Sequence, residues 1–173
     1  MRKFFFKIFK YAISGIMLLT SCSNTWNPFK PEEAPQVKQS SLSSDDPKSI
    51  INQLQTAYSE RELNDYLNCL SEDFIFVLSQ EDYAYFHLNE NWWGKYTEEQ
   101  IHRNLFQQAN DVELKLTFLS SRKNSDINYE LKYQYQLNVY ISEIRYVADG
   151  YASYEVEKED DQWKIIKWTD MLY

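Results

Sequence analysis

Glycine is scarce in this chain of 173 residues, where it occurs only at Gly15, Gly94 and Gly150. Dinucleotide-binding proteins and P-loop nucleotide hydrolases need several closely spaced glycines, because the backbone must approach the phosphates. No stretch of the sequence supplies that spacing. The sequence therefore excludes both of these classes of nucleotide-binding site.

Histidine and cysteine are as rare, with two of each. His87, His102, Cys22 and Cys69 are too few to form a zinc site by themselves. Composition leaves open a metal site completed by carboxylates, but we predict no metal and no cofactor. Cys69 falls among leucines on a predicted helix, where a small buried thiol is expected.

Basic residues are in deficit, with 18 Lys and Arg against 26 Asp and Glu. Four of the basic residues lie within the first ten positions, so residues 22–173 carry 14 basic and 26 acidic residues, a net charge of −12. Nucleic-acid binding requires a basic surface that neutralises phosphates. We therefore predict no nucleic-acid partner.

A long hydrophobic run is also missing. The apolar stretch at 11–19 follows four basic residues and ends at a polar segment, whereas a membrane-spanning helix needs about 20 apolar residues. A basic segment followed by a short apolar one is typical of a secretory signal peptide. We assign residues 1–21 to that signal.

The signal ends in Leu19-Thr20-Ser21-Cys22, which resembles the lipobox of bacterial lipoproteins. This resemblance implies cleavage before Cys22 and lipidation of its thiol, and two or three acyl chains form a stable membrane anchor. The residue after the cysteine, Ser23, resembles the outer-membrane sorting pattern. We therefore expect a lipid-anchored protein of the bacterial cell envelope, on the outer membrane facing the periplasm in a Gram-negative organism. The alternative is an ordinary secretory signal with an incidental cysteine.

Residues 22–46 contain three prolines and a serine-rich stretch and show no apolar periodicity. Such composition is typical of a flexible tether. The folded domain is then expected to span residues 47–173.

Three amphipathic stretches predict helices. The first begins at Pro47 behind an aspartate cap, the second runs from Glu62 to Leu70, and the third begins behind Thr97 as N-cap. Between the second and third helices, 74–78 predicts a strand and 83–88 its hairpin partner.

The remainder of the chain predicts sheet. Apolar and polar residues alternate at 112–118 and, without a break, from Ile127 to Ile141, with further strands at 144–158 and 163–168. A strand of this length does not stay flat, so the sheet must curve. Sequential strands joined by hairpins predict antiparallel pairing throughout.

Three segments in this order resemble the nuclear transport factor 2-like superfamily, which includes polyketide cyclases and ketosteroid isomerase. They are the helix junction 58–67, the step 70–74 into the first strand, and the tryptophan-rich last strand 161–168. The resemblance covers 47–173 and implies an α+β, cystatin-like cone in which a curved antiparallel sheet wraps the N-terminal helices. The mouth of such a cone often holds a ligand.

The resemblance also implies where a catalytic base would lie. In the isomerases a carboxylate base stands near the end of the first strand, which here is Leu78 or Ser79, and neither removes a proton at neutral pH. The remaining candidates are Asp82 in the following turn, His87 on the predicted second strand, and Asp149, if it points into the cone.

Aromatic residues supply the candidate ligand site. Tyr129, Tyr133 and Tyr135 share the apolar face of the longest strand, so either they line a pocket or they pack with their hydroxyls reaching solvent at the rim. Adjacent indoles cannot face one core together, so we expect one of Trp92 and Trp93 to be exposed for ligand or protein contact. The other interpretation is that the pair closes the end of the domain.

We interpret the protein as a membrane-anchored lipoprotein whose cone binds a small hydrophobic ligand or a protein without catalysis. Two alternatives stay open. One is an isomerase, cyclase or dehydratase that uses general acid–base chemistry. The other is a structural lipoprotein that dimerises through the outer sheet face, where Tyr140, Val147 and Tyr151 alternate outward.

Overall fold

The computed structural model of the protein describes residues 45–86 and 89–171. The signal peptide, Cys22 and nearly all of the predicted tether lie outside the described residues. The helices are α1 (Lys48–Glu60), α2 (Leu63–Asn68), α3 (Gln80–Phe86) and α4 (Lys95–Gln108). The strands are β1 (Leu70–Val77), β2 (Trp92–Gly94), β3 (Asp111–Lys123), β4 (Asn128–Ile141), β5 (Ile144–Glu159) and β6 (Gln162–Met171).

Helix α1 follows its apolar stripe. Its buried residues recur three and four positions apart and include Ile51, Leu54 and Tyr58, so one face packs on the sheet. Asp46 accepts a hydrogen bond from the Lys48 backbone N–H at 2.9 Å. None of the helices within the described ranges is long and apolar enough to cross a membrane.

The six strands form one curved sheet in the order β2-β1-β6-β5-β4-β3. The alternation along β4 places Leu131, Leu137 and Val139 in the core, and the helices cover this inner face. The α+β fold with a curved sheet wrapped on the N-terminal helices is confirmed.

Helix α1 also covers one edge of the sheet. Strand β3 is the last in the order, and its backbone N–H groups at Leu114 and Leu116 donate to Ser59 Oγ (3.2 Å) and Gln55 Oε1 (2.8 Å). Unpaired edge groups are sites of aggregation unless they are covered. The two helix side chains satisfy this part of the edge.

The prediction of antiparallel pairing throughout is wrong at one position. Strand β6 lies between β5 and β1, and it pairs with β1 in parallel, for example Phe76 with Trp168. The last strand returns beside the first one, and no hairpin joins these two. Pairing between such distant segments leaves no local signal in the sequence.

The predicted strand 83–88 is also wrong, since residues Gln80–Phe86 form helix α3. The Ser79 hydroxyl accepts the Asp82 backbone N–H at 3.2 Å and donates to the Asp82 carboxylate at 2.8 Å. The Ser79 hydroxyl therefore caps the start of the helix, because it accepts a backbone N–H of the first turn. The antiparallel partner of β1 is instead β2, which is only three residues long.

Helix α4 begins three residues earlier than predicted. Gly94 is its N-cap and Thr97 lies inside the first turn. Lys95, its first residue, donates to the Leu70 carbonyl at 3.0 Å and to Glu72 at 2.8 Å, which fixes the start of the helix against β1. With this start, the Glu98 side chain turns inward.

Candidate ligand-binding site

Two tyrosines of β4 lie on the inner face of the sheet, as predicted. Tyr133 is opposite Ala152 in β5, and Tyr135 is opposite Gly150. Because both partners are small, the Tyr135 ring lies across β5, and its hydroxyl donates to the Asp170 carboxylate on β6 at 3.1 Å. Adjacent strands are about 4.8 Å apart, so this contact spans two strand spacings.

Two further phenols lie deeper in the core beside them. Tyr58 of α1 and Tyr154 of β5 are at most 1% exposed. Tyr154 contacts Tyr133 and Trp168 at ring-centroid distances of 5.9 and 4.9 Å. Neither the Tyr58 hydroxyl nor the Tyr154 hydroxyl has a hydrogen-bond partner within the described part of the chain. We call Tyr58, Tyr133, Tyr135, Tyr154 and Asp170 the tyrosine site.

Burial keeps the hydroxyls of the tyrosine site protonated. It raises the pKa of Tyr58, with a smaller contribution from the Glu98 charge, and raises the pKa of Tyr133 to about 12. The pKa of Tyr154 rises well above its ordinary value, first through burial and then through its neighbours, which include Tyr135, Tyr133, Tyr58 and Asp170. The site therefore presents neutral phenols that can both donate and accept hydrogen bonds.

A buried carboxylate lies behind the tyrosine site. Glu98 of α4 is 1% exposed, and it accepts hydrogen bonds from the Tyr66 hydroxyl and the Trp93 indole N–H, each at 2.5 Å. Both carboxyl oxygens of Glu98 therefore have a donor. These hydrogen bonds join α2, β2 and α4 at one point.

His102 lies one helical turn after Glu98. Its Nδ1 is 3.1 Å from the Glu98 carbonyl and 3.3 Å from Glu98 Oε1, so the ring proton belongs on Nδ1. Burial lowers the pKa of His102, whereas Glu98 acts to raise it. Burial has the larger effect, so the ring is neutral. Its Nε2 is buried without a partner among the described residues, and the ring contacts Tyr58 at 5.1 Å between centroids.

Sequence reasoning missed most of these inner polar groups. Glu98 and His102 are four positions apart and share a helix face with Leu105 and Phe106, and this spacing was the available signal. No local pattern marked Tyr154 or Asp170 as neighbours of Tyr135, because strand order brings them together.

The other aromatic candidates divide between two places. Trp93 is buried, with its ring stacked on Phe76 at 4.4 Å, whereas Trp92 is 48% exposed, so the prediction that one indole is exposed is confirmed. Tyr129 lies on the inner face toward the other end of β4, with its ring edge on Trp163 at 5.6 Å. Tyr129 is therefore near the start of α1, apart from the tyrosine site.

The three candidate catalytic residues do not come together. Asp82 is bound to Ser79 at the start of α3, and His87 lies outside the described residues. Asp149 pairs with Gln136, on the face turned away from the helices, and it lines a polar hollow of about 410 Å³ with Lys115 and Gln134. It does not point into the cone. No group of metal-ligating side chains occurs within residues 45–86 and 89–171.

The outer sheet face carries the residues predicted for dimerisation. Tyr140, Val147 and Tyr151 are half-buried there, and the Arg145 guanidinium lies 5.9 Å from the Tyr140 ring centroid. Dimerisation through this face stays a prediction.

Solved structures with the same architecture identify the fold. One is an NTF2-like protein of unknown function from Shewanella oneidensis, with a TM-score of 0.55 and 15% identity over 70% of this chain and 93% of that chain. A domain with a cystatin-like fold from Nostoc punctiforme has a TM-score of 0.53 and 14% identity over 73% and 74%. The chain has the NTF2-like, or cystatin-like, fold.

Structures named for enzymes share this NTF2-like fold. A candidate scytalone dehydratase from Novosphingobium aromaticivorans matches with a TM-score of 0.62 and 10% identity over 73% of this chain and 80% of that chain. No protein-family model and no curated protein matches the sequence. Proteins of this fold include ligand-binding proteins as well as dehydratase- and isomerase-type enzymes, so the fold alone does not decide the activity.

Proposed function

We propose that this protein is a lipid-anchored protein of the bacterial cell envelope whose cone domain binds a small, largely apolar ligand without catalysis. In this proposal residues 1–21 are a signal peptide, Cys22 carries the lipid, and the segment from Cys22 to Asp46 tethers the domain. The ligand occupies the tyrosine site.

One observation carries the binding proposal. The hydroxyls of Tyr58 and Tyr154 are buried in aromatic surroundings without partners in the described part of the chain. A buried polar group without a hydrogen bond costs about 1–3 kcal/mol. A ligand that offers one hydroxyl, carbonyl or amine among apolar atoms would remove this cost, since a phenol both donates and accepts.

The non-catalytic part rests on the positions of the ionisable groups. Glu98 is 1% exposed and already accepts hydrogen bonds from two donors, Asp82 is bound to Ser79, and Asp149 lies on the other face of the sheet. His102 has an Nε2 without a partner among the described residues, but this side chain is 2% exposed and lies behind Tyr58. A general base needs an open lone pair within hydrogen-bond reach of the substrate proton. Hydrogen exchange at the α-carbon of an enolisable ketone, if abolished by His87→Ala or Asp149→Asn, would overturn this part.

Calorimetry with a matched pair of probes tests ligand binding. The full-length protein in phosphatidylcholine nanodiscs is titrated with 4-ethylphenol and with ethylbenzene, which differ by one hydroxyl, and empty nanodiscs supply the blank. We expect 4-ethylphenol to bind about two- to twelvefold more tightly, the range that a net hydrogen bond of about 0.5–1.5 kcal/mol gives.

The Tyr154→Phe variant is the internal check. It removes an unpartnered hydroxyl, so the variant should unfold at the same or a higher urea concentration, yet its preference for 4-ethylphenol should shrink. Tyr96→Phe, at a residue that is 76% exposed, is the matched control and should change neither property. Absence of binding by both probes would refute the proposed ligand site.

A separate experiment tests the anchor. Cells that express the full-length chain are labelled with a radioactive fatty acid, and wild type is compared with Cys22→Ser. The label should be incorporated only in the wild type, while Cys69→Ser should label normally because that thiol is buried. Equal labelling of the wild type and Cys22→Ser would refute the anchor.

A further inference from the structure

Helix α1 has an uncharged outer surface. Its residues 49–59 include no charged side chain, although Asp, Glu, Lys and Arg make up 25% of the sequence. Solvent-facing positions of a helix are ordinarily occupied by charged residues. Serine, asparagine and threonine also form helices less readily than lysine or glutamate. This surface is therefore not the one that helix stability favours, and the residues that form it are Ser49, Asn52, Gln53 and Thr56.

Two adjoining surface hollows border this part of α1. One, of about 420 Å³, is lined by α1 and α2. The other, of about 500 Å³, is lined by α1 and the start of β6. Gln53 and Asn68 line both hollows, so the two form one groove. We call it the amide groove, because its lining includes the side-chain amides of Asn52, Gln53, Asn68 and Gln162.

The amides of the groove are not used within the protein. None of the four side chains has a hydrogen-bond partner among residues 45–86 and 89–171. Gln55 and Ser59 of the same helix differ, because both accept backbone N–H groups from the edge of β3. An amide side chain both donates and accepts hydrogen bonds, so the groove offers both kinds of group to a ligand.

The charged residues that line the amide groove are of both signs. Glu60 and Asp65 line the first hollow, and Asp161 and Lys164 line the second. The Lys164 amine donates to the Asn68 carbonyl at 2.6 Å, and the Asp161 carboxylate is 3.6 Å from the amine of Lys158. Charges of mixed sign around uncharged amides suit a neutral ligand better than an anion or a cation.

The floor of the groove offers little apolar surface. Its apolar lining residues are Ile50, Ala57 and Trp163, each at most 6% exposed. A ligand therefore gains little from apolar burial and must be held by hydrogen bonds. Extended peptides commonly bind by adding a strand to a sheet edge or by inserting apolar side chains into pockets. The groove supplies neither, because β6 is an inner strand of the sheet.

We propose that the amide groove binds a neutral oligosaccharide, with sugar rings in both hollows and with Gln53 and Asn68 between them. A sugar carries a hydroxyl on most of its carbon atoms, and each hydroxyl donates and accepts as an amide does. The groove shares no lining residue with the tyrosine site. This inference therefore does not depend on the proposed function.

Linear neutral tetrasaccharides test the ligand class. Cellotetraose, maltotetraose and chitotetraose are titrated into the full-length protein in phosphatidylcholine nanodiscs. Saturation-transfer NMR, which detects weak ligands, measures binding against empty nanodiscs. A serine–alanine tetrapeptide with blocked ends is the neutral comparison. We expect at least one tetrasaccharide to bind at least about tenfold more tightly than the peptide, because it presents more hydroxyls to the amides. Failure of all three sugars, or equal or tighter binding of the peptide, overturns the proposal.

A double variant locates the binding site. Gln53→Ala/Asn68→Ala removes the two amides that both hollows share. Affinity for the bound tetrasaccharide should fall at least about fourfold, since one net hydrogen bond corresponds to about a two- to twelvefold change. Alanine is the strongest helix former, so this variant should unfold at the same or a higher urea concentration. The control, Gln100→Ala/Gln107→Ala, removes two exposed amides from α4 and should bind sugar as the wild type does.

The outcomes separate the amide groove from the tyrosine site. Unchanged sugar affinity in Gln53→Ala/Asn68→Ala would overturn the groove as the binding site, and so would an equal loss in the α4 control. Binding of 4-ethylphenol should be the same in this variant as in the wild type, so each site can fail while the other stands. The comparison of sugar with peptide in the wild type decides the ligand class even where the double variant fails to fold.

Discussion

Replacing Gly150 by alanine tests whether the Tyr135 ring lies across β5. A Cβ atom at this position would stand 2.7 Å from the Tyr135 hydroxyl oxygen and 2.9 Å from two of its ring carbons, which is closer than van der Waals contact. The backbone of Gly150 does not have a positive φ, so alanine itself causes no backbone strain. The ring must therefore move and release Asp170.

The expected size follows from two opposing effects. Inserting a methyl group into a packed site costs about 1–3 kcal/mol, whereas alanine in place of glycine within a strand gains about 0.5–1 kcal/mol. We expect Gly150→Ala to lower the free energy of unfolding by about 1 kcal/mol or more. In a Tyr135→Leu background the clashing atoms are gone, so the same substitution should stabilise the protein by about 0.5–1 kcal/mol.

Urea denaturation of the four proteins in this double-mutant cycle measures the effect. The change of sign is the critical result, and the coupling between the two positions should be about 2 kcal/mol. If Gly150→Ala is equally destabilising in both backgrounds, contact with the Tyr135 side chain is not the reason why a Cβ atom is unfavourable at position 150. The predicted contact between Tyr135 and Asp170 would then be refuted as well.

Three further predictions concern stability. Glu98→Gln should cost about 1–3 kcal/mol in urea denaturation, because glutamine keeps one acceptor oxygen and leaves one of the two buried donors without a partner. The same change at Glu99, which is more exposed, should cost under about 0.5 kcal/mol. Equal costs would contradict the buried cluster. Burial lowers the pKa of folded His102, so below about pH 6.5 the unfolded chain takes up a proton that the folded chain does not, and stability falls as pH falls. His102→Phe should reduce this slope between pH 7 and 5, and an unchanged slope would refute the assignment. Gln55→Ala should lower the free energy of unfolding by about 1 kcal/mol, because the Leu116 backbone N–H at the strand edge loses its acceptor. Hydrogen exchange at Leu116 should become faster. Unchanged protection of this N–H would contradict the prediction.

The periodicity of apolar residues along the chain predicted those parts of the fold that neighbouring residues determine. The apolar stripe of α1 and the alternation of β4 report which face of each element is buried, because side chains repeat every 3.6 residues in a helix and every two in a strand. Those two periods predicted the elements, the inner position of Tyr133 and Tyr135, and the curvature of a long sheet.

The errors arose where a short local signal was misread or where distant segments meet. Ser79 and Asp82 form the start of a helix, whereas their polar side chains predict a turn between two strands. The parallel pairing of β1 with β6 joins residues about ninety positions apart in the chain, such as Phe76 and Trp168, so no window of sequence contains it. Asp170 was missed for the same reason.

The geometry of the tyrosine site depends on two residues without polar side chains, Gly150 and Ala152. Tyr135 reaches Asp170 only because Gly150 and Ala152 leave the surface of β5 bare between them, and a leucine at either position would keep the phenol and the carboxylate apart. Phenylalanine would fill the places of Tyr58 and Tyr154 without unpartnered hydroxyls, which together cost about 2–6 kcal/mol out of the 5–15 kcal/mol typical of a domain. A cone that served only as a scaffold would be more stable with phenylalanine there, so the two phenols favour a bound ligand as the reason for the present arrangement.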